Sequence, residues 1–408
     1  MLLWMVMLSA AQAAVLELHR GVSVHEWLNW SPIEADGSYK WPPYRSEVAW
    51  LSGARDFSDW PPGDVFEMIS GLGFDFVRLT IDPGPLLATT GARRREALQI
   101  ISDAARRISS TGLKVVLDLH AVEQLPKYGL AFIDGGPVSP GVAAYQDMVA
   151  AVASLAVDIG SDRVALEPFN EPSYYPCDGH ATGGWQQIMA ATIHRIRMVS
   201  KELTIVATGA CGGGIAGLLD LDPRFDDADI YYSFHMYEPH EFTHQGLASD
   251  DEFLSGLPWP AVQGTADDVV RKLREHMSED GIGASQQAEK LRVAMPEIEQ
   301  YFMDNSGQPQ LEANFDAVAR WAEAHGIPTQ RLLMGEFGAG LMSDDYSRGA
   351  FEADRSRYLE AVRLQAERRK IPWAVWEFSN PFGMSVIEKN GPAVPDQGLL
   401  KALGLHGQ

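Results

Sequence analysis

Apolar and polar positions along this chain follow two alternating rhythms. Short β-rich runs occur at 18 ("LHRGVSV"), 74 ("FDFVRLTID"), 113 ("LKVVLDLHA") and 164 ("VALEPFNEP"). They continue at 204 ("TIVATGACG"), 229 ("DIYYSFHMYEP"), 331 ("RLLMGEFGAG") and 371 ("IPWAVWEFSNP"). Between most of them lie segments with apolar residues at helical spacing, at 92 to 110, 141 to 158, 184 to 201, 312 to 325 and 350 to 369, several followed by a glycine where a helix would stop. Eight repeats of strand then helix, with strands too apolar for a one-sided sheet, predict an α/β fold of the closed parallel (β/α)8 barrel type.

A barrel enzyme carries its chemistry at the C-terminal ends of its strands, so polar residues should gather there. They do: Arg78, His120, Asn170 with Glu171, His235 with Tyr237, Glu336, and Trp376 with Glu377 all come late in their runs. One polar strand end is ordinary, but six strands sharing the feature point to a site at the barrel mouth. Two connections exceed the minimum, residues 30 to 60 after the first strand and about 238 to 310 after the sixth. The second has helical patterning at 265 to 278 and 284 to 304, which predicts an ordered cap. The first holds Trp30, Tyr39, Trp41, Tyr44, Trp50, Phe57 and Trp60. Such rings build either a private core under the loop or a wall for stacking pyranose rings. Some are expected to do each, with Trp30 and Trp41 the leading candidates for exposed rings on the glycone side of the cleft.

Composition narrows the partners. The 408 residues, 46% of them hydrophobic, can bury one large core, and the formal charge is −22. That charge repels phosphate backbones and anionic lipid, so neither nucleic acid nor a membrane surface is expected as a partner; its ordinary consequence is solubility. Residues 1 to 13, "MLLWMVMLSAAQA", are an apolar run closing on Ala11 and Ala13 and read as a secretory signal, too short to span a bilayer, although no Lys or Arg precedes Arg20. Residues 14 to 408 would then be one secreted or periplasmic domain, expected as a monomer. Only Cys177 and Cys211 are present, which excludes a disulfide scaffold and any CxxC motif; in an exported chain the two could pair, because they follow neighbouring strands.

"GGGIAG" at 212 to 217 matches G-x-G-x-x-G after a strand, but the acidic, Pro-broken "LLDLDPRFDDAD" follows where a long helix should, so the glycines read as a tight loop near the mouth. No phosphate loop or nucleophile elbow is present, and no cofactor or metal is expected. What remains is a pair of glutamates at the ends of strands four and seven. Cleaving a glycosidic bond needs two carboxyl groups, one to protonate the leaving oxygen and one to attack or support the anomeric carbon. Arg78 and Tyr237 are expected to keep Glu336 ionised by lowering its pKa, while Glu171, beside Tyr174, holds its proton longer.

At these residues the chain resembles family 5 glycoside hydrolases of the cellulase type, from "RGVSVHEWL" at Arg20 to "AVWEFSNP" at 374. The family's eight active-site positions match Arg78, His120, Asn170, Glu171, His235, Tyr237, Glu336 and Trp376, in order and in the expected strands. The resemblance implies that Glu171 is the acid/base and Glu336 the nucleophile of a retaining mechanism. It also implies that Asn170 binds the sugar 2-hydroxyl, that Trp376 floors the sugar being cleaved, and that His120, His235 and Tyr237 position sugar and carboxylates. The long connections at 30 to 60 and 238 to 310 depart from common members of the family. The expected activity is an endo-β-1,4-glucanase acting on a polysaccharide or oligosaccharide. A β-mannanase or β-1,3-glucanase on the same machinery is the competing enzyme reading, and a carbohydrate-binding pseudoenzyme is the reading of another class.

Overall fold

Eight parallel strands close on themselves in chain order in a computed structural model of the protein. The structure describes residues 16–54, 65–174, 183–225, 227–247, 253–344, 346–380, 383–387 and 394–405, so the signal segment read in residues 1 to 13 lies outside it. The strands are β1 (Arg20–Leu28), β2 (Phe76–Ile81), β3 (Lys114–Leu119), β4 (Val164–Glu167), β5 (Thr204–Thr208), β6 (Ile230–Met236), β7 (Leu332–Phe337) and β8 (Trp373–Val375). Seven fall within the runs picked out by their apolar patterning, and β1 starts within its run but continues four residues past it to Leu28. The expected helices are also present, among them Gly91–Ser109, Pro140–Ile159, Gly183–Val199, Gln308–Ala324 and Glu352–Arg368.

Side chains alternate between the barrel interior and the helical layer, and the interior changes character with height. At the bottom, Phe76, Val116, Ala165, Val206, Tyr231, Leu333 and Ala374 close on Leu16 and Leu18 in an apolar plug. One step higher, on six of the strands, Ser23, Arg78, Asp118, Glu167, Thr208 and Ser233 form a fully buried polar layer. The mouth follows above it. Arg78 thus sits mid-strand and deep, not at the strand end where the sequence reading placed it.

β7 breaks its own alternation. Phe234 pairs with Met334, but His235 pairs with Glu336, so Gly335 is an extra residue in the ladder. This bulge flips the parity, letting both Leu333 and Glu336 face inward while Met334 and Phe337 join the outer core. Glycine is required there, because a Cβ on residue 335 would stand 2.6 Å from the Ser233 hydroxyl.

The connection after β6 is the ordered cap that its patterning predicts. Its helices Ala266–Glu279 and Ala284–Met303 bury Val269, Leu273, Ile298 and Tyr301, and Trp259 packs on Tyr358 of the helix before β8. The connection after β1 splits its aromatics. Trp50 and Tyr44 are buried, with Trp50 in a three-ring cluster with Trp27 and Phe66, whereas Trp30 is 45% exposed; Phe57 and Trp60 lie outside the described residues. The short helix Glu47–Ala54 in this connection was not expected from the pattern. Cys211 is disulfide-bonded; the chain's one other cysteine, Cys177, lies outside the described residues.

Candidate active site

The polar layer is organised by one guanidinium. Arg78 donates from Nε to Glu167 (2.7 Å), from Nη1 to Glu336 (2.7 Å) and from Nη2 to Asn170 Oδ1 (2.7 Å), with Asp118 at 3.1 Å. One cation therefore faces three buried carboxyl groups. The balance shows in their protonation: burial pushes Asp118 up to about 7 and raises Glu167, with Arg78 pulling both the other way.

This cluster fixes hydrogen positions in the rest of the site. Burial lowers the His120 pKa to about 3, so the ring is neutral. Its Nδ1 faces the Asp118 carboxylate at 2.9 Å and must carry the hydrogen, leaving Nε2 to accept from Asn170 Nδ2 at 3.2 Å. Asn170 is thus pinned at both ends, by Arg78 on its oxygen and His120 on its nitrogen, with one N–H left for a substrate hydroxyl.

Asn170 and Glu171 stand beyond the end of β4 on the segment through Pro172, held from below by Tyr145, whose hydroxyl donates to the Pro168 carbonyl at 2.7 Å. The glycine run closes the other side. Gly213 sits at φ +67°, where a Cβ would meet the Asn170 carbonyl at 3.1 Å, and Gly212 donates its N–H to the Pro172 carbonyl. Those glycines serve close backbone approach behind Glu171.

Glu336 accepts from Arg78 at one oxygen and from the Tyr237 hydroxyl (2.8 Å) at the other. Glu171, its side chain 40% exposed, contacts His235 Nδ1 at 2.7 Å, and His235 also lies 3.6 Å from Glu336. An atom each of Glu171, His235 and Glu336 lie within 4.8 Å of one another, so the two carboxylates approach that closely. The same trio has the composition of a metal site, but its Glu336 oxygens are already bonded to a guanidinium and a phenol, and the nearby positive charge opposes a cation.

The expectation that Arg78 and Tyr237 depress the Glu336 pKa is corrected here. Burial outweighs them and pushes Glu336 up to about 7; His235 and Arg78 oppose the rise, and the charge of Glu171 adds to it. Burial raises Glu171 as well. The two titrate as a pair, so their roles follow from which one can hold a proton. Glu336 faces a guanidinium that only donates, and a phenol that burial keeps protonated. A single shared proton is therefore better placed on the Glu171–His235 side.

A row of rings floors the mouth. Trp376 stacks on His120 (5.5 Å, 19°) and packs against His25 (4.6 Å), and His25 receives the Trp30 indole N–H on Nε2 at 2.9 Å. His25 is neutral, its pKa far below the usual value through burial, so its Nδ1 carries the hydrogen and faces Thr80 Oγ1 at 3.0 Å. Of the ten residues singled out from sequence, nine meet in and around this cavity of about 480 Å³. Trp41 does not. Its indole nitrogen donates to Glu96 at 2.7 Å and it lines a separate groove.

Sequence reasoning missed Asp118, Glu167 and His25. It also missed Glu238, His240 and His244, which line the cavity after β6 with the two imidazoles stacked 4.0 Å apart. The available signal was a charged residue at an inward position inside an apolar run, as in "VVLDLH" and "VALEPF".

Trp30→Ala should raise KM for long glycan chains several-fold more than for a short aryl glycoside, because a ring beyond the reacting sugar contacts only the longer ligand. Equal losses on both would make Trp30 a prop for His25 alone.

The model of the cellulase family (glycosyl hydrolase family 5) matches residues 46–381. The chain belongs to that family. Among similar proteins, Endoglucanase 3 of Fibrobacter succinogenes is 28% identical over 409 residues, 97% of this chain and 54% of that protein. Cellodextrinase A of Ruminococcus flavefaciens is 29% identical over 195 residues, 47% of this chain and 55% of that protein. The chain thus spans about half the length of the curated relatives it matches. Cel5A of Thermotoga maritima, solved with cellobiose, shares the fold with a TM-score of 0.64 at 20% identity, over 95% of this chain and 97% of that one.

Proposed function

We propose that this family 5 protein is an endo-β-1,4-glucanase that hydrolyses its glycan by double displacement with retention of anomeric configuration. The observation that carries the mechanism is the approach of the Glu171 and Glu336 carboxylates within 4.8 Å. Retaining pairs stand about 5 to 5.5 Å apart, whereas inverting pairs leave about 6.5 to 9.5 Å for a water. The names of the relatives, an endoglucanase and a cellodextrinase, support a β-1,4-glucan as substrate.

In the first step Glu336 attacks the anomeric carbon as Glu171 gives its proton to the departing glycosidic oxygen; a glycosyl ester of Glu336 forms and the aglycone leaves as an alcohol. In the second, Glu171 takes a proton from water, the hydroxide attacks the same carbon, and Glu336 is released as carboxylate. Asn170 donates its free N–H to the 2-hydroxyl, and Trp376, backed by His25 and His120, supports the ring at the reacting position.

Product NMR at early times should show the β-anomer before mutarotation. A reducing-end assay over β-1,4-glucan, mannan, β-1,3-glucan and xyloglucan should give the fastest release from β-1,4-glucan. An initial α-anomer would sink the mechanism, and faster release from mannan or β-1,3-glucan would move the substrate. Binding of these glycans without turnover would leave a carbohydrate-binding protein.

A further inference from the structure

The mouth of the barrel has two unlike sides. Trp376, His120 and His25 floor it from β8, β3 and β1, beneath the sugar that Glu336 attacks. Around the rim from them the lining is Gly212 and Gly214 after β5, then Glu238, His240 and His244 after β6. No side chain projects from the two glycines. His240 borders the cavity on the Glu171 side: burial raises the Glu171 pKa, and His120, Arg78 and His240 act against the rise.

His240 is exposed in this lining, yet its ring is held. One face lies on His244, parallel to within 5°. His244 is fixed in turn. The buried Thr243 hydroxyl donates to the Tyr237 carbonyl at 2.7 Å, so it accepts from His244 Nδ1 at 2.9 Å, which must carry the hydrogen. Burial, with His240 adding to it, lowers the His244 pKa to about 3, so that ring is neutral. It packs edge-on against Tyr237 at 4.9 Å, and Tyr237 is the phenol that donates to Glu336. The turn beneath is anchored by the buried Phe242 against Tyr358, and by the Gly340 N–H, which donates to the Thr243 carbonyl.

Two imidazoles four residues apart can chelate a metal, but here the rings lie face to face, and among the described residues no third ligand group closes on the pair. A sugar suits the arrangement better. One face of His240 is occupied by His244, the exposed remainder belongs to the cavity, and the ring is ordered before any ligand arrives. An aromatic face matches the C–H face of a pyranose. Among the described residues the cavity lining contains no Lys or Arg, so an anionic sugar finds no partner there. The oxygen that Glu171 protonates joins the attacked sugar to the next one, which places that next sugar on the Glu171 side.

We propose that His240, braced by His244, is the platform for the sugar on the departing side of the scissile bond, an uncharged β-linked pyranose. His240 has this role only if the cleft is the retaining glycosidase site described above. The same platform then serves the second step whenever a sugar replaces water: its hydroxyl attacks the anomeric carbon of the glycosyl ester, Glu171 takes the proton, and Glu336 leaves as carboxylate.

Cellotetraose and β-cellobiosyl fluoride separate the platform from the chemistry, because fluoride leaves with no sugar on the departing side. His240→Ala should lower kcat/KM on cellotetraose about five- to tenfold more than on the fluoride. With the fluoride as donor and cellobiose added as acceptor, the share of glycosyl-enzyme captured by sugar instead of water should fall as well. His240→Phe keeps a ring without a titrating nitrogen and should restore most of both. Equal losses of His240→Ala on the two substrates, with the captured share unchanged, would make His240 a prop for the β6 segment and overturn the proposal. A His240→Phe protein as poor as His240→Ala would overturn it too, and leave His240 a charge effect on Glu171. If the unaltered protein turns over neither substrate, the cleft reading falls and the proposal with it.

Discussion

Glu336→Ala is expected to lose activity on every substrate, on the order of 10⁵-fold or more, as when a covalent nucleophile is removed. No leaving group can compensate, because no glycosyl ester can form. Glu171→Ala should behave differently. Loss of a general acid costs about 10² to 10⁴ on a natural glycan. On an aryl glycoside whose phenolate leaves without a proton, the first step should survive and the second become limiting, and added azide should speed it by attacking the ester directly. Equal inactivity of Glu171→Ala on natural and activated substrates, with no azide effect, would reverse or remove the assigned roles.

The coupling between the two carboxyls adds a pH signature. In the unaltered protein the acidic limb of kcat/KM should lie above the ordinary carboxylate range, because burial pushes Glu336 up to about 7. Along that limb Glu171 holds the shared proton and is neutral, and Glu171→Gln keeps the position neutral. On an activated aryl glycoside the acidic limb of Glu171→Gln should therefore stay near its place, while the alkaline limb, set by loss of the Glu171 proton, should vanish. An alkaline limb that persists would mean that another group sets it.

The eight strands were legible because each is a short β-rich run, six of them closed by a polar residue, and closure of the barrel puts those ends on one rim. Glu171 could be picked out for the same reason, standing where "VALEPF" gives way to Asn170. Glu336 was recognisable in chain order, but its aim was not: strict alternation puts 333, 335 and 337 on one face, and only the Gly335 bulge turns Glu336 inward. Its protonation was misread because desolvation depends on everything packed around a group, and the charges named beside it are the smaller part. Aromatic content in residues 30 to 60 could not say which ring faces which way. Trp30 reaches the cleft through His25, Trp50 joins the core, and Trp41 is held aside by Glu96 and Arg93.

Arg78→Met should cost about 3 to 5 kcal/mol of stability, the usual result of removing one member of a buried ionic cluster. The guanidinium is fully buried, and its Nε, Nη1 and Nη2 each bond a different side chain. Without it, Asp118, Glu167 and Glu336 face one another with no cation, and they respond by holding protons to higher pH. A carboxyl whose folded pKa lies above its unfolded value contributes stability below the unfolded pKa and loses it as pH rises through the folded one. Arg78→Met should therefore fold best in mild acid and lose stability steeply toward alkaline pH, more so than the unaltered protein, in which Asp118 and Glu336 already stand at about 7. Adding Glu167→Gln to Arg78→Met removes one uncompensated charge and should restore part of the stability at neutral pH. It should not restore turnover, since Glu336 and Asn170 still lack the donor that orients them. Arg78→Lys should not substitute, because one ammonium cannot span acceptors arrayed along a planar fork. Urea denaturation of the four proteins at acid and alkaline pH measures all of this; an Arg78→Met protein equally stable at both, with no gain from Glu167→Gln, would show that the cluster is held by packing and not by its charge.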